Sequence, residues 1–490
     1  MSISPEWLSK NRRFLQAILA VAAKKKKTLY LVGGILRDSF LKRERENPDI
    51  DFCLKRGAIA LAGETAKVLR AGFVVLDEEH GCGRVVKKMG RQVYTFDFTD
   101  FRGKDLAEDL LHRDFTVNSM AMELEALFRA KKISNGLLID PWGGLRDIRS
   151  RTIRLVHKDG FDEDPLRILR AFSFAALLGF QIEEGTLKLA CSKRGKIASV
   201  SGERIRDEFF KILSTQRTYD FLCRLDKYGI LELLFPEIVP MRTMKQGAYH
   251  HLDVWGHTLE TVRHLELCVK SFERKPEISA YLEEEISFGR RRRELLKLAA
   301  LLHDIGKPKT LRVEKGKVQF HGHERVGSQM FRDVGERMKL SNEEVRLIRQ
   351  IIFLHLRPGY LVTNAMVTPR AKFRFFRDAG TEAAGILLLS LADQRATKGY
   401  PMLEKTRGRH ERTGQALIRE YFHKQKEEKL ERLVNGHDII KAFSLGSSPV
   451  IGKILRDLEE LQAIGKIKTK EEALRTAAKL LQKHSPSQKK

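Results

Sequence analysis

The sequence has 490 residues, of which 42% are apolar and 32% are charged, and this composition excludes an intrinsically disordered chain. Its 91 basic and 64 acidic residues give a formal charge of +27, which favours a polyanionic partner, nucleic acid before an anionic membrane surface. Five scattered cysteines without C-x-x-C spacing exclude a disulfide framework and a zinc ribbon, and they favour a reducing cytoplasm.

The N-terminal segment Phe14 to Ala23 is apolar and follows basic residues, so it superficially resembles a signal peptide. Because four lysines and then a strand-like segment follow it directly, we interpret it as an amphipathic helix with a basic end. No apolar run approaches the roughly 18 residues that a membrane span needs.

The segment from Leu29 to Leu54 predicts a strand, a glycine turn, a short helix with Arg37, a loop and a second strand. The turn contains Gly33 and Gly34. Because these residues have no β-carbon, their backbone N–H groups could approach an anion at the start of the helix.

Two carboxylates lie on the second of these strands. Side chains alternate along a strand, so Asp49 and Asp51 should project from the same face. Acids this close are stable if a cation lies between them or solvent separates them, and Mg²⁺ suits a pair of carboxylates whose other ligands are water and phosphates. The alternative is a glycine turn followed by an edge strand with solvated acids; the two patterns together favour phosphoryl chemistry, namely nucleotidyl transfer.

The next segment predicts a helix at 58–70, a strand at 73–76 and a hairpin formed by 84–88 and 92–98. Asp97 lies between two phenylalanines on the second hairpin strand. It is a candidate for a third carboxylate beside the metal pair, and the alternative is a plain exposed strand residue.

Four further motifs follow: HRDFTVNSMAM (112–122), DPWGGLRDIRSRTIRLV (140–156), EDPLRILRA (163–171) and ERIRDE (203–208). Together with residues 29–54, they resemble, in family order, the class II tRNA nucleotidyltransferase (CCA-adding enzyme) and bacterial poly(A) polymerase superfamily. His112 and Ser119 depart from the family's R-R-D-F-T-x-N-A, which puts any role of its first arginine in doubt.

The resemblance implies catalytic roles for Asp49, Asp51 and Asp97, with Mg²⁺ held by Asp49 and Asp51. It also implies a nucleotide-binding set, in which the pair Asp164 and Arg167 reads the Watson–Crick edge of cytosine or adenine in place of a nucleic-acid template. The full nucleotide-binding set is Gly33, Gly34, Arg37, Arg113, Asp114, Asn118, Asp164, Arg167 and Arg170. An ordinary helix N-cap with an i,i+3 ion pair is the alternative for Asp164 and Arg167.

The second half of the sequence resembles the HD phosphohydrolase family, whose pattern is H…HD…D. Histidine and aspartate side chains on converging helices could bind a divalent metal that activates water against a phosphoester. The residues implied as metal ligands are His257, His303, Asp304, His323, His355 and Asp393. An active and a vestigial site remain open alternatives, and the substrates implied for an active site are 2′,3′-cyclic phosphates or phosphomonoesters at RNA ends.

The predicted fold is α+β, with a small mixed β-sheet head followed by an all-α neck, an HD-type helical domain and C-terminal helices. The predicted divisions are an N-terminal helix (1–27), the head (28–156), the neck (157–245), the HD domain (246–400), a C-terminal helical region (401–482) and a disordered basic tail (483–490).

The predicted function is addition of CMP and AMP from CTP and ATP to the 3′ end of tRNA, in a cytoplasmic enzyme that binds the tRNA acceptor arm. The alternatives are an enzyme that adds only CC or only A, and a poly(A) polymerase. The link from Asp97 to the HRDFT motif looks shorter than the flexible loop associated with full CCA addition, which keeps the CC-adding alternative open.

Overall fold

The computed structural model describes residues 2–3, 6–43, 49–90, 92–130, 132–247, 252–363, 367–397, 403–425 and 431–484. The chain forms two compact units, Met1–Thr215 with Arg224–Leu234 and Gln216–Cys223 with Phe235–Lys490. In the parts of the chain just given, no helix combines the length and the apolar character that crossing a membrane requires. Of the predicted disordered tail, residues 485–490 lie outside the described residues, and the two before them end the last helix.

The first unit begins with a mixed α and β region. Its elements are β1 Ser2–Ile3, α1 Glu6–Lys10, α2 Arg12–Lys24, β2 Tyr30–Val32, α3 Gly34–Phe40, β3 Ile50–Leu54, α4 Ala58–Leu69, β4 Gly72–Asp77, β5 Cys82–Met89, β6 Gln92–Asp100, α5 Leu106–Leu111, β7 Ala121–Glu123, α6 Leu124–Ala130, β8 Ile133–Ser134, α7 Gly144–Arg149 and β9 Thr152–Ile153. These bounds confirm the predicted basic-ended helix, strand β4 and the β5–β6 hairpin.

The main sheet of the first unit has six strands in the order β4-β5-β6-β3-β2-β7. Strand β3 pairs with β6 in parallel, and the other neighbours pair antiparallel. The apolar side chains that alternate with polar ones along β3 and β6, such as Phe52 and Phe98, are buried and stack on each other. The polar side chains therefore share the opposite face of the sheet.

The first unit continues as α8 Gly160–Glu163, α9 Leu166–Leu178, β10 Gln181–Ile182, α10 Glu184–Lys193 and α11 Gly202–Leu213. The next helix, α12 Thr218–Lys227, belongs to the second unit up to Cys223 and to the first from Arg224 on, and α13 Leu231–Leu234 is again part of the first unit. Helix α9 starts directly after Pro165 and ends at Gly179, whose positive φ of 71° favours glycine. Asp147 is buried in α7, where it accepts hydrogen bonds from Thr116 and Arg154.

The second unit is helical, as predicted. Its elements from residue 254 on are α14 Val254–Phe272, α15 Pro276–Glu283, β11 Glu285–Ser287, β12 Arg290–Arg291, α16 Arg292–Leu302, α17 Lys307–Thr310, β13 Arg312–Glu314, β14 Lys317–Gln319, α18 His323–Arg337, α19 Asn342–Leu354, α20 Arg357–Thr363, α21 Pro369–Ala379, α22 Ala383–Ala396, α23 Leu403–Lys424, α24 Gly436–Phe443, α25 Pro449–Ala463 and α26 Lys470–His484. The two short hairpins β11–β12 and β13–β14 were not predicted. Helix α14 packs against α16 and α22, and α18 packs against α19.

Candidate functional site

Three carboxylates of the first unit come together at one cleft. Asp51 lies on β3 and is in register with Asp97 on the parallel neighbour β6, while Asp49 immediately precedes β3. All three line a cleft with a volume of about 670 Å³, and the intervening Ile50 is buried on the other side. The structure therefore brings the predicted third carboxylate beside the predicted pair.

The Asp51 carboxyl group is in an environment that disfavours its negative charge. Burial, followed by the charge of Asp97, raises its pKa to about 6; Asp49 acts in the same direction, and Arg113 opposes the shift. A divalent cation would offset this repulsion, so the donor set fits a metal of the magnesium type.

Gly33 and Gly34, predicted to form a phosphate-binding turn, also line this cleft. Gly33 has a φ of +78°, and a β-carbon there would lie 3.3 Å from Oδ2 of Asp51 and 3.6 Å from Nη1 of Arg113. A side chain at this position would thus be strained and would crowd the carboxylates. The glycine keeps the backbone close to the place where the acids meet.

A chain of polar contacts connects three of the predicted nucleotide-binding residues. Arg37 donates from Nη1 to Oδ1 of Asn118 (2.5 Å), and Asn118 donates from Nδ2 to Oδ1 of Asp114 (3.0 Å). Burial raises the pKa of Asp114, but the charge of Arg170 and the hydrogen bonds that the carboxylate accepts outweigh burial and lower it. Asp114 is therefore an ionised acceptor inside the protein.

Arg170 links this chain of contacts to helix α11. It donates from Nη2 to Oδ2 of Asp114 (2.6 Å) and from Nη1 to Oε1 of Glu208 (2.9 Å). Glu208, the last residue of the ERIRDE motif, is buried and also accepts from the Ser173 hydroxyl (2.5 Å). Glu208 thus connects α11 to Arg170 and Ser173 of α9.

Phe174 was not predicted from the sequence, although it lines the cleft. The guanidinium carbons of Arg37 and Arg170 lie 5.3 and 5.1 Å from the centroid of its ring. In the sequence it looks like an ordinary core position of an apolar helix, and only the structure places it between two cations.

The predicted base-reading residues also line the cleft, and both make hydrogen bonds to protein groups. Asp164 accepts from the backbone N–H of Leu166 (3.2 Å) and from Nη2 of Arg204 (2.8 Å). The Nη2 group of Arg167 donates to the backbone carbonyl of His112 (2.6 Å). Arg204, which its motif indicated to be a structural support, is thus a cleft residue bonded to Asp164.

Arg84 is a second cleft-side residue that the sequence did not single out. It donates from Nε and Nη2 to the two carboxylate oxygens of Asp97, at 2.8 and 2.7 Å. The predicted hairpin could have revealed this ion pair, since Arg84 and Asp97 are directly opposite each other in the β5–β6 register.

The histidines and aspartates of the second unit converge as predicted. Nε2 of His257 lies 2.8 Å from Oδ1 of Asp393, and Nε2 of His303 lies 3.2 Å from Oδ2 of Asp304. Nε2 of His323 lies 3.3 Å from Oδ1 of Asp304. Two overlapping groups, His257 with His303 and Asp393, and His303 with Asp304 and His355, have ligand atoms within 4.8 Å of one another.

Each of three histidines in this cluster is oriented by a backbone carbonyl. Nδ1 of His303, His323 and His355 lies 2.8, 2.7 and 2.6 Å from the carbonyl oxygen of the residue three positions earlier. This contact directs the lone pair of Nε2 toward the aspartates, as in proteins that bind metal through imidazole. Among the described residues, Nε2 of His303 and of His323 is buried without a hydrogen-bond partner, which suits both atoms as metal donors.

The electrostatics of the cluster favour ionised aspartates. Burial raises the pKa of Asp304, but His303 and Lys307 outweigh it and hold that pKa well below its usual range. Burial lowers the pKa of His303, but Asp304 outweighs burial and raises it. Burial and the charges of His303 and His323 lower the pKa of His355 to about 3, so its imidazole is neutral at physiological pH.

The first unit has carboxylates on and next to a strand, a glycine turn beside them and an arginine-lined cleft, and the second unit has a separate His/Asp cluster. These features define a metal-dependent nucleotidyltransferase fused to an HD-type domain. Family models agree. The poly A polymerase head domain matches residues 29–154, the probable RNA and SrmB-binding site of polymerase A matches 179–241, and the HD domain matches 254–379.

Curated relatives match nearly the whole chain. The A-adding tRNA nucleotidyltransferase of Deinococcus radiodurans is 30% identical over 454 residues, which cover 90% of this chain and 93% of that protein. The CC-adding tRNA nucleotidyltransferase of Thermus thermophilus is 29% identical and covers 91% and 92%. The multifunctional CCA protein of Vibrio campbellii is 29% identical and covers 77% and 88%. This chain belongs to the tRNA nucleotidyltransferase family, whose members use nucleotide substrates and divalent metal ions.

Solved structures share the fold. The Thermotoga maritima CCA-adding enzyme complexed with tRNA has a TM-score of 0.62 and 22% identity, covering 96% of this chain and 95% of that one. The complex of CCA-adding enzyme with ATP has a TM-score of 0.65 and 22% identity, covering 96% of each chain. The α+β architecture predicted from the sequence is therefore confirmed.

Proposed function

We propose that this enzyme adds CMP and AMP residues to the 3′ end of tRNA to complete the CCA sequence, using CTP and ATP. The observation that carries the proposal is the register of Asp51 with Asp97, next to Asp49, in a cleft that arginines also line. Carboxylates for a metal and cations for a triphosphate are the two charge types that nucleotidyl transfer requires.

Asp49 and Asp51 would hold Mg²⁺, and Asp97 lies close enough to join them or to adjust their charge. When bound, Mg²⁺ supplies positive charge that neutralises the phosphates and lowers the pKa of a hydroxyl nucleophile. Arg113 is aligned with this site by Asp109, whose Oδ2 lies 3.2 Å from its Nη2. We assign Arg113 to triphosphate binding, since its guanidinium borders the carboxylates without neutralising them completely.

Asp164 and Arg167 would select the nucleobase. Their present hydrogen bonds, to Arg204 and to the carbonyl of His112, fix both side chains at the edge of the cleft. A fixed acceptor beside fixed donors complements the edge of cytosine or adenine, and this arrangement needs no nucleic-acid template. The basic chain would hold the acceptor arm of tRNA through phosphate contacts and shape.

The experiment uses three radiolabelled tRNA transcripts, ending before CCA, after C and after CC, each with CTP, ATP or both, plus Mg²⁺. Products are resolved at single-nucleotide resolution. Growth that stops after CCA supports the proposal. Arrest at CC, or A added only to the transcript ending in CC, would indicate a partial enzyme like the CC-adding and A-adding relatives, and a long A tail would indicate a poly(A) polymerase.

Two variants test whether the activity in this assay depends on the carboxylate site. Asp51→Asn removes a proposed metal ligand and should abolish all three reactions. Asp77→Asn is the matched control, because Asp77 lies on β4 of the same sheet and is paired with His80 outside the cleft. Loss of activity in both variants would mean that the sheet, and not the carboxylate site, is responsible.

We further propose that the HD cluster binds a divalent metal and hydrolyses phosphoesters at RNA ends. The support is the convergence of four imidazoles and two carboxylates, with Nε2 of His303 directed at Asp304. The test is hydrolysis of a 2′,3′-cyclic nucleotide and of a phosphomonoester with Mg²⁺, Mn²⁺ or Ni²⁺, in wild type and His303→Ala. Metal binding without hydrolysis of either substrate would make the cluster a vestigial site.

A further inference from the structure

His112, which stands where the related motif has arginine, belongs to a small cluster of its own. Its Nδ1 lies 3.0 Å from Oε1 of Glu163, and Nε2 of His157 lies 3.2 Å from the same oxygen. The three ligand atoms are within 4.8 Å of one another, and the two imidazole rings meet edge to face with centroids 5.9 Å apart. Nothing in the proposed transferase or HD chemistry uses these side chains.

Two of the three spacings between these atoms are compatible with a tetrahedral metal site. Zinc bonds of about 2.0 Å at tetrahedral angles place neighbouring ligand atoms about 3.3 Å apart. The two contacts to Oε1 of Glu163 already have nearly this separation without any ion between the groups. Two imidazoles and one carboxylate, with a fourth position for water, form a donor set that suits zinc and similar transition metals better than magnesium.

One ring nitrogen of the cluster lacks a satisfactory hydrogen bond. Nε2 of His157 is shielded from solvent and, within the described part of the chain, has no hydrogen-bond partner of acceptable geometry, although it is close to Glu163. The hydrogen bond to Glu163 therefore gives Nδ1 of His112 a partner but does not give one to Nε2 of His157. A metal ion would satisfy both nitrogens at once.

Arg167 is the cation that competes for the same carboxylate. Its Nη1 lies 3.2 Å from Oε2 of Glu163, whereas the two histidines face Oε1. The two carboxylate oxygens thus serve different partners, and one-oxygen coordination of a metal leaves the bond to Arg167 in place. We propose that His112, His157 and Glu163 form a zinc-type transition-metal site distinct from the head carboxylates and from the HD cluster.

The site is coupled to the proposed base-reading arginine. Arg167 donates to the backbone carbonyl of His112 and to the carboxylate of Glu163, so two of the three ligands are also partners of this arginine. Metal binding would fix both partners and with them the position of the guanidinium. This consequence rests on the proposed function, whereas the metal site itself does not.

The test measures Zn²⁺ stoichiometry and affinity on the full-length, metal-stripped protein by competition with a chromophoric chelator, and Co²⁺ binding by visible absorption. The background carries Asp304→Ala to weaken the HD cluster. We expect one Zn²⁺ equivalent that His157→Gln and His112→Arg each weaken by at least about tenfold. A tetrahedral Co²⁺ absorption band should be present in the Asp304→Ala background and absent after either substitution.

His80→Gln is the matched control, because His80 is an exposed histidine paired with one carboxylate, that of Asp77, at 2.8 Å. It should leave the zinc equivalent unchanged. Equal stoichiometry and affinity in the background protein and in its His157→Gln and His112→Arg variants, each with an unchanged melting temperature, would overturn the proposal. Because nucleotide incorporation is not the readout, a failure of the metal site is distinguishable from a failure of the transferase proposal.

Discussion

The head cleft and the HD cluster, both proposed to bind a divalent cation, differ in the chemistry of their side chains. In the head, Asp49 is exposed and Asp51 lies beside Asp97 on a sheet face, with no imidazole among the lining residues that the structure describes. In the HD cluster the side chains are mostly buried imidazoles, and backbone carbonyls orient them. On the proposed function, the substrate's phosphates would complete the head site, whereas the HD imidazoles already have the backbone contacts that orient them.

The largest expected effect is the loss of nucleotide incorporation when the head site is changed and the HD cluster is left intact. Asp51→Asn should lower nucleotide incorporation by on the order of a thousandfold, because it removes charge where the transition state needs it. Single-turnover incorporation on a tRNA ending in CC measures this loss. Metal binding by the HD cluster should be unchanged, and a parallel loss there would contradict the independence of the two sites.

A substitution in the HD cluster should have the opposite pattern, weakening metal binding there and leaving nucleotide incorporation nearly unchanged. Asp304 contacts His303, His323 and Lys307, so Asp304→Ala should weaken metal binding at the HD cluster by about a hundredfold. Nucleotide incorporation should stay within about twofold of wild type. Isothermal titration with Mn²⁺ and the incorporation assay on the same preparation give both values, and a large drop in incorporation would show that the HD cluster serves the transferase reaction.

In the head, a buried ion-pair network holds the polar side chains in place, whereas in the HD cluster backbone carbonyls orient the histidines. Glu208→Gln would leave Arg170 with one carboxylate partner instead of two, and we expect a loss of about 3 kcal/mol in the free energy of unfolding. Urea denaturation monitored by circular dichroism measures it. The exposed pair of Glu184 with Lys188 provides the control, since Glu184→Gln should produce no measurable change.

The smallest expected effect is a difference in pH dependence. The pKa of Asp51 is raised to about 6, so in the head protons compete with the metal only as the pH falls through about 6. In the HD cluster the aspartates stay ionised because their pKa values are lowered, but the pKa of His303 is raised above its ordinary value.

Proton competition at the HD cluster should therefore begin at a higher pH than at the head. Metal titrations between pH 5 and 8 on Asp304→Ala, which retains the head site, and on Asp51→Asn, which retains the HD site, measure the two curves separately. An affinity loss that sets in at the same pH in both variants would contradict the electrostatic difference between the sites.

Short, dense motifs allowed the head carboxylates, the HD pair and the β5–β6 hairpin to be predicted. Each of these signals lies within a few residues of sequence. Arg204 and Phe174 were missed because their roles arise from packing of α9 against α11, which no local pattern reports. The two- and three-residue strands of β11–β14 are too short for alternation to reveal. The domain boundaries and the roles of the site residues remain predictions.

The parallel pairing of β3 with β6 has a consequence for folding kinetics. Asp51 and Asp97 are 46 positions apart in sequence (97 minus 51), and a complete helix and two further strands lie between β3 and β6 in the chain. Local elements such as the β5–β6 hairpin form early, while a parallel pair must first close a long loop. On this argument the pairing of β3 with β6 forms later than the β5–β6 hairpin. A nascent chain ending before residue 92 carries Asp49 and Asp51, with β2 as the partner of β3, but lacks the strand that places Asp97 beside Asp51.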